Sequence, residues 1–225
     1  QSAWLKEMIA SVVAQTYKGW ELLIVDDGST EDIKAVVESF DDKRIRFYRF
    51  DENRGPPHGI RFATDMAVRE FICLLAADEV ISPEKLTEQL TFMDAHPGVD
   101  CIWGLPGAGQ MGQRPEWEQY ALSAHNRSQK AWLRTLLNLE NVPIGAASFM
   151  MKRSVFKSLG GLDKDLTIFN DHEFYCRFFS SGHIGKVLPY RWAVERPATT
   201  DSVRHRHADK ADAELALVRS KYPLT

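Results

Sequence analysis

Glu21-Leu22-Leu23-Ile24-Val25 runs directly into Asp26-Asp27-Gly28-Ser29-Thr30, and this junction decides the fold of the chain. The apolar run reads as a buried strand, and Thr30-Glu31-Asp32 opens a helix-like pattern. Two adjacent acids at the carboxyl end of a central strand stand where open α/β sheets bind their ligands. Gly28 permits a tight turn and close approach to the backbone. Ser29 is placed to cap the next helix, with Asp32 as its capping-box partner.

The pattern extends in both directions. Upstream, Trp4, Leu5, Met8, Ile9, Val12 and Val13 share one helical face. Downstream, Ile33, Val36, Val37 and Phe40 mark a helix over about 30–40, and Ile45 to Tyr48 alternates as a strand. A helix over 57–69, a strand from Phe71 to Leu75, a helix started by Ser82-Pro83 and a strand from Val99 to Trp103 continue the series. This alternation predicts an α/β fold with right-handed crossovers and a mostly parallel central sheet flanked by helices.

Beyond Leu105 the periodicity weakens. Pro106, Gly107, Gly109, Gly112 and Pro115 predict a loop, and 116–139 reads as helical. A strand-like Ala146 to Met151, a short helix over 153–159, a Gly160-Gly161 turn and a helix over 170–181 follow. The basic stretch Arg204-His205-Arg206-His207 precedes a last helix over about 208–221.

Composition sets the bounds. The 225 residues suit one α/β domain, and 44% hydrophobic with 26% charged residues describe an ordinary core and surface. A net charge of −3 gives no general attraction to nucleic acid or anionic lipid. No run is long enough to span a bilayer, and no secretory signal precedes the first helix. Three widely spaced cysteines, Cys73, Cys101 and Cys176, read as reduced core thiols, which favours the cytoplasm.

Acidic residues recur at three stations: Asp26-Asp27, Asp78-Glu79, and Asp171 with Glu173. The first two follow apolar strands of one inferred sheet and are expected to converge on one edge. Carboxylates there suit a hard divalent ion bridging diphosphate oxygens, Mn²⁺ or Mg²⁺. A separate carboxylate across the cleft is placed to act as general base on a hydroxyl nucleophile.

These motifs, in this order and spacing, resemble the family 2 glycosyltransferases, nucleotide-sugar-dependent enzymes with the GT-A fold. The likeness covers nearly the whole sequence. Trp4-Leu5, Ser11 to Tyr17, Trp20-Glu21-Leu22 and Asp26 to Thr30 follow the family's opening, and Asn53-Arg54-Gly55 begins its next block. Leu75 to Glu79 occupies the slot of its DxD metal motif, and Gly160-Gly161-Leu162-Asp163 with Asn170-Asp171 and Arg177 looks like its acceptor-side block.

The resemblance implies one domain over 1–225, with a nucleotide-binding half over about 1–104 and an acceptor-side half and tail over 105–225. It implies that Asp27 binds the nucleotide base, with Asp26 and Ser29 shaping the pocket and Arg61 or His58 reaching a phosphate. Asp78 would ligate Mn²⁺ or Mg²⁺, and Asp171 would be the catalytic base of an inverting transfer. Arg204 and His205 are candidate diphosphate contacts, while Trp103, Trp117 and Trp132 are either sugar-stacking or core residues. The expected donor is a nucleotide-sugar, by family frequency a UDP-sugar. The acceptor would be a saccharide, a lipid-linked group or a protein, in polysaccharide biosynthesis. No nucleic-acid partner is expected, and the expected location is the cytoplasm or, peripherally, the inner membrane face.

The chain departs from that pattern in four places. It starts at Gln1, where the family's first strand should have passed, so either a fragment or a GT-A fold lacking that strand is expected. Ala76 replaces the first acid of the DxD motif, Ile60 replaces a frequent arginine, and Asn170 replaces a common glutamate. A degenerate GT-A domain serving as a binding or assembly module is therefore the competing expectation. No glycine-rich, lysine-bearing loop supports a nucleotidyltransferase, and no Gly-x-Gly-x-x-Gly turn supports a dinucleotide oxidoreductase.

Overall fold

The computed structural model describes residues 2–105, 127–139, 146–194 and 207–223. In the first part, helix α1 (Ser2–Val13) precedes strand β1 (Leu22–Asp27), α2 (Ile33–Glu38), β2 (Ile45–Phe50) and α3 (Pro56–Met66). Then come β3 (Phe71–Ile72), β4 (Val80–Ile81), α4 (Lys85–Ala95) and β5 (Cys101–Trp103). The second part holds α5 (Gln129–Leu137), a 3₁₀ turn at Ala146–Ser148, β6 (Met150–Lys152), α6 (Arg153–Ser158) and α7 (Asn170–Ser180). It ends with β7 (Gly185–Val187), β8 (Ala193–Val194) and, after a 3₁₀ turn, α8 (Ala211–Lys221).

Helix α1 buries Leu5, Met8, Ile9 and Val12, the i, i+3, i+4, i+7 stripe of an amphipathic helix. Trp4, expected on that face, is exposed instead. The stripe packs with Trp20, Ile24, Ile33 and Val37, so α1 and α2 cover β1. Helix α2 begins at Asp32, whose side chain accepts the Ala35 N–H. Asp32, not Ser29, is therefore the cap, because Ser29 is held in the preceding turn.

Strands β1 and β2 pair in parallel, as the α2 crossover requires. The larger sheet, in the order β3-β6-β5-β7, is mixed rather than mostly parallel. Strand β6 runs antiparallel to both β3 and β5, while β5 and β7 are parallel. The mixture has a topological cause: β6 enters between two earlier strands only after residues 104–149, and from the opposite direction. Strands β4 and β8, which have no periodic signature at two residues each, form a separate antiparallel pair.

The main core lies under this sheet. Trp132 of α5 stacks on Phe179 of α7, with ring centroids 5.4 Å apart, and Trp103 meets Phe178 edge-on at 5.9 Å. Trp103 and Trp132 are fully buried, which places both in the core rather than on a sugar-facing surface. Trp117 lies outside the described residues. Cys101 and Cys176 are buried free thiols, the latter pushed up to about 12 by burial and then by Glu173, whereas Cys73 is exposed. Among the described residues, no helix is long and apolar enough to cross a membrane.

Candidate active site

The site is built outward from the acidic end of β1. The Asp26 side chain is completely buried. Its register partner on β2 is Arg49, whose Nη1 donates to Asp26 Oδ2 at 2.5 Å. The Ser29 N–H donates to Asp26 Oδ1 at 2.9 Å, and Arg49 Nη2 donates to the Ser29 carbonyl at 2.7 Å. Asp26 and Arg49 thus clamp the turn after β1 from both sides. Ser29 belongs to this brace through its main chain.

Asp27 works across a longer span. Its Oδ1 accepts the Arg54 N–H and its Oδ2 the Gly55 N–H, both at 2.8 Å. Gly55 opens α3 with φ +86° and no side-chain cap, so the carboxylate supplies that end of the helix with an acceptor. Gly28 is required beside it: φ is +74°, and a Cβ there would lie 2.9 Å from the Asn53 nitrogen. Asp27-Gly28 and Asn53-Arg54-Gly55 are therefore one structural unit. Each carboxylate oxygen keeps acceptor capacity beyond these bonds.

Helix α3 carries the unit toward the second half. Arg61 and Thr64 line an open pocket of about 70 Å³ with Asp65, Phe156, Lys157, Gly160 and Gly161. Gly161 has φ +70°, and a Cβ would stand 3.1 Å from the Arg61 stem. Lys157 pairs with Asp65 of α3 at 3.0 Å. Ile60, in the arginine position of the family pattern, instead packs against the main core. His58 Nδ1 is buried and has no hydrogen-bond partner among the described residues.

Asp78 lies half-buried in the turn between β3 and β4. That turn is closed by Glu79, whose Oε2 accepts the Ala76 N–H at 2.8 Å. Ala76 thus contributes its main chain where the family pattern has an acid. No group of three His, Cys, Asp or Glu residues among the described ones forms a ready-made metal cage. One hard carboxylate in a short turn still fits Mn²⁺ or Mg²⁺ in a diphosphate site, because such ions take one or two carboxylates plus phosphate oxygens and water.

Asp171 is exposed in the first turn of α7, and its Oδ1 accepts the His172 N–H at 2.7 Å. His172 sits edge-on to Phe169, their centroids 5.7 Å apart. The apolar face of α7, including Phe174, Phe178 and Phe179, is buried and fixes the helix. Asp78 and Asp171 do not line the Arg61–Gly161 pocket. Arg204 and His205 lie outside the described residues.

Two groups near these stations, Arg49 and Glu214, escape sequence reading, as do the partners of Glu173. Arg49 is an ordinary surface-type residue until strand register sets it opposite Asp26. Glu173 is buried beneath Arg177 Nη2 at 2.5 Å and Tyr222 Oη at 2.6 Å. Glu214 of α8 accepts backbone N–H groups just ahead of α7. Glu173 is named with Asp171 from the sequence, but its burial and partners are not, and nothing marks Glu214.

An α/β domain with acids ending β1, a turn carboxylate after β3 and a carboxylate opening α7 has the GT-A architecture, and solved structures bear this out. The chain superposes on Staphylococcus aureus TarS 1-349 in complex with UDP-GlcNAc with a TM-score of 0.75 at 17% identity, covering 98% of this chain and 64% of that one. It superposes on the mannosyltransferase PcManGT of Pyrobaculum calidifontis, in complex with GDP-Man and Mn²⁺, with a TM-score of 0.72 at 19% identity, covering 96% and 61%. Residues 1–160 match the profile described as Glycosyl transferase family 2, so the chain belongs to that family. An uncharacterized glycosyltransferase of Rickettsia felis is 38% identical over 92 residues, 40% of this chain and 15% of its own length. The chain spans about half or less of the length of the curated relatives it matches.

Proposed function

We propose that this domain transfers a sugar from a nucleoside diphosphate donor to a hydroxyl acceptor, with inversion and metal assistance. The observation that carries the reading is the Asp27 carboxylate joining the end of β1 to the start of α3, the helix that carries Arg61. Membership of glycosyl transferase family 2 supports the reaction class.

In this reading the base edge of the nucleotide lies against Asp27, using its remaining acceptor capacity, while the Asp26–Arg49 clamp keeps the turn from collapsing. Arg61, exposed at the pocket rim, offers a forked cation to a phosphate. Asp78 would hold Mn²⁺ or Mg²⁺, which neutralises charge on the departing diphosphate. Asp171, anchored by the buried face of α7, takes the proton of the attacking hydroxyl. Direct displacement on the face opposite the leaving group inverts the anomeric centre. The TarS and PcManGT complexes, with UDP-GlcNAc and GDP-Man, support a nucleotide-sugar donor.

The test is a thermal-shift titration of UDP and GDP with and without Mn²⁺. A ligand held by the folded state alone adds about 2.7 kcal/mol of stability at a hundred times its dissociation constant. Metal-dependent stabilisation by one nucleoside diphosphate is expected. No stabilisation by either, at millimolar ligand and metal, would overturn the donor-binding reading.

A further inference from the structure

Helix α8 is fastened to the base-bearing helix α7 and the loop before it. Glu214, in its first turn, is 8% exposed and takes three backbone donors from one short segment. The Thr167 N–H reaches Oε1 at 2.9 Å, while Ile168 and Phe169 reach Oε2 at 2.8 and 3.1 Å. Tyr222 Oη donates to Glu173 Oε1 at 2.6 Å, and Lys221 pairs with Asp163 at 2.8 Å. Arg219 Nε donates to the Leu137 carbonyl at 2.9 Å, which adds α5 to the same clasp.

Helix α7 lacks a cap of its own. Its N-cap position is Phe169, with no side-chain hydrogen bond, and Asn170-Asp171 follow immediately. Glu214, from another helix, accepts the N–H of that N-cap residue, Phe169, and of the two residues leading into it. Charge-assisted bonds to main-chain N–H groups are short and directional, so three on one carboxylate fix the path of the backbone. The residues gripped are the ones that determine where Asp171 stands.

We propose that Glu214 is a positioning residue for the transfer reaction, holding Thr167–Phe169 so that the Asp171 carboxylate stays in register with the acceptor hydroxyl. This rests on the reading of Asp171 as general base. Donor binding, which belongs to β1, α3 and the Asp78 turn, is independent of it. Misplacing a catalytic group by about 1 Å can cost on the order of 100-fold in rate.

The experiment uses the full chain with Glu214→Gln, which keeps the shape but sets an amide N–H₂ against backbone donors. Hydrogen exchange without ligand should speed up roughly tenfold over residues 166–172, as expected when charged hydrogen bonds are lost, and stay unchanged in β1 and α3. With the most active donor from a panel of UDP- and GDP-sugars, kcat should fall roughly 10- to 100-fold while donor KM stays within about twofold. If the Gln variant does not fold, Glu214→Asp keeps the charge, and the same exchange and kcat readings apply to it. Wild-type exchange at 166–172, exchange raised throughout the chain, or an unchanged kcat would each overturn the proposal. Asp171→Asn is measured in parallel: if it transfers at the wild-type rate, the base assignment fails and the catalytic role of Glu214 fails with it. The local exchange change would then report a purely structural clasp.

Discussion

Asp27 and Gly55, 28 residues apart in sequence, are joined by a hydrogen bond from the Gly55 N–H to Asp27 Oδ2 at 2.8 Å. This bond makes the acidic end of β1 and the start of α3 a single rigid corner. Removing the carboxylate therefore has two consequences, one for the loop and one for the ligand.

Asp27→Ala should weaken UDP or GDP binding with or without Mn²⁺, since a site built around a polar group discriminates strongly against losing it. Isothermal titration calorimetry checks this. An unchanged affinity for both nucleotides would place the base pocket elsewhere.

Asp78→Asn should remove the Mn²⁺-dependent part of nucleotide binding and leave the metal-free part intact. The substitution keeps the side-chain shape, so the melting temperature without ligand should stay near that of the wild type. Calorimetry showing the same metal-dependent affinity in the variant would sink the assignment.

Asp26→Ala should destabilise the domain by roughly 2–3 kcal/mol, because it removes a buried carboxylate with charged and main-chain partners. Arg49→Ala should also destabilise it, because the fully buried Asp26 carboxylate is then left without its cation. Urea denaturation measures both variants. Wild-type stability in either would contradict the clamp.

Acid should loosen α8 before the rest of the domain. Burial pushes the Glu214 carboxyl up, but its three backbone donors and Lys210 outweigh this and hold it below the ordinary 4.5. The Lys221 ammonium holds Asp163 below its ordinary 3.8 in the same way, against the opposing effect of burial. Both folded values lie below the unfolded ones, so their contribution is present above about pH 4.5 and lost as pH falls through the folded values. Hydrogen exchange at pH 3.5 should show residues 166–172 and α8 opening ahead of β1. In Glu214→Gln the remaining acid dependence of that opening should be smaller.

The corner at β1 was legible because its causes are local: an apolar run, two acids, a glycine. The same holds for the stripe of α1. Strand pairing was not legible, since neither the parallel register that sets Arg49 opposite Asp26 nor the antiparallel entry of β6 leaves a periodic trace. Two-residue strands such as β4 and β8 fall below any periodic signal. Of the site, the three acidic stations were readable as residue types at strand and helix ends. Their internal bonds were not: Asp27 spends its oxygens on Arg54 and Gly55, and Glu214 acts 45 to 47 residues from its partners.

Single-turnover sugar transfer by Asp171→Asn tests the central claim most directly. The substitution is nearly isosteric and lies outside the proposed donor site, so Mn²⁺-dependent binding of the donor should match wild type. Without the base, the rate of transfer should fall by about 10²–10⁴-fold. Intact donor binding with that loss is the predicted result; transfer at the wild-type rate would contradict it.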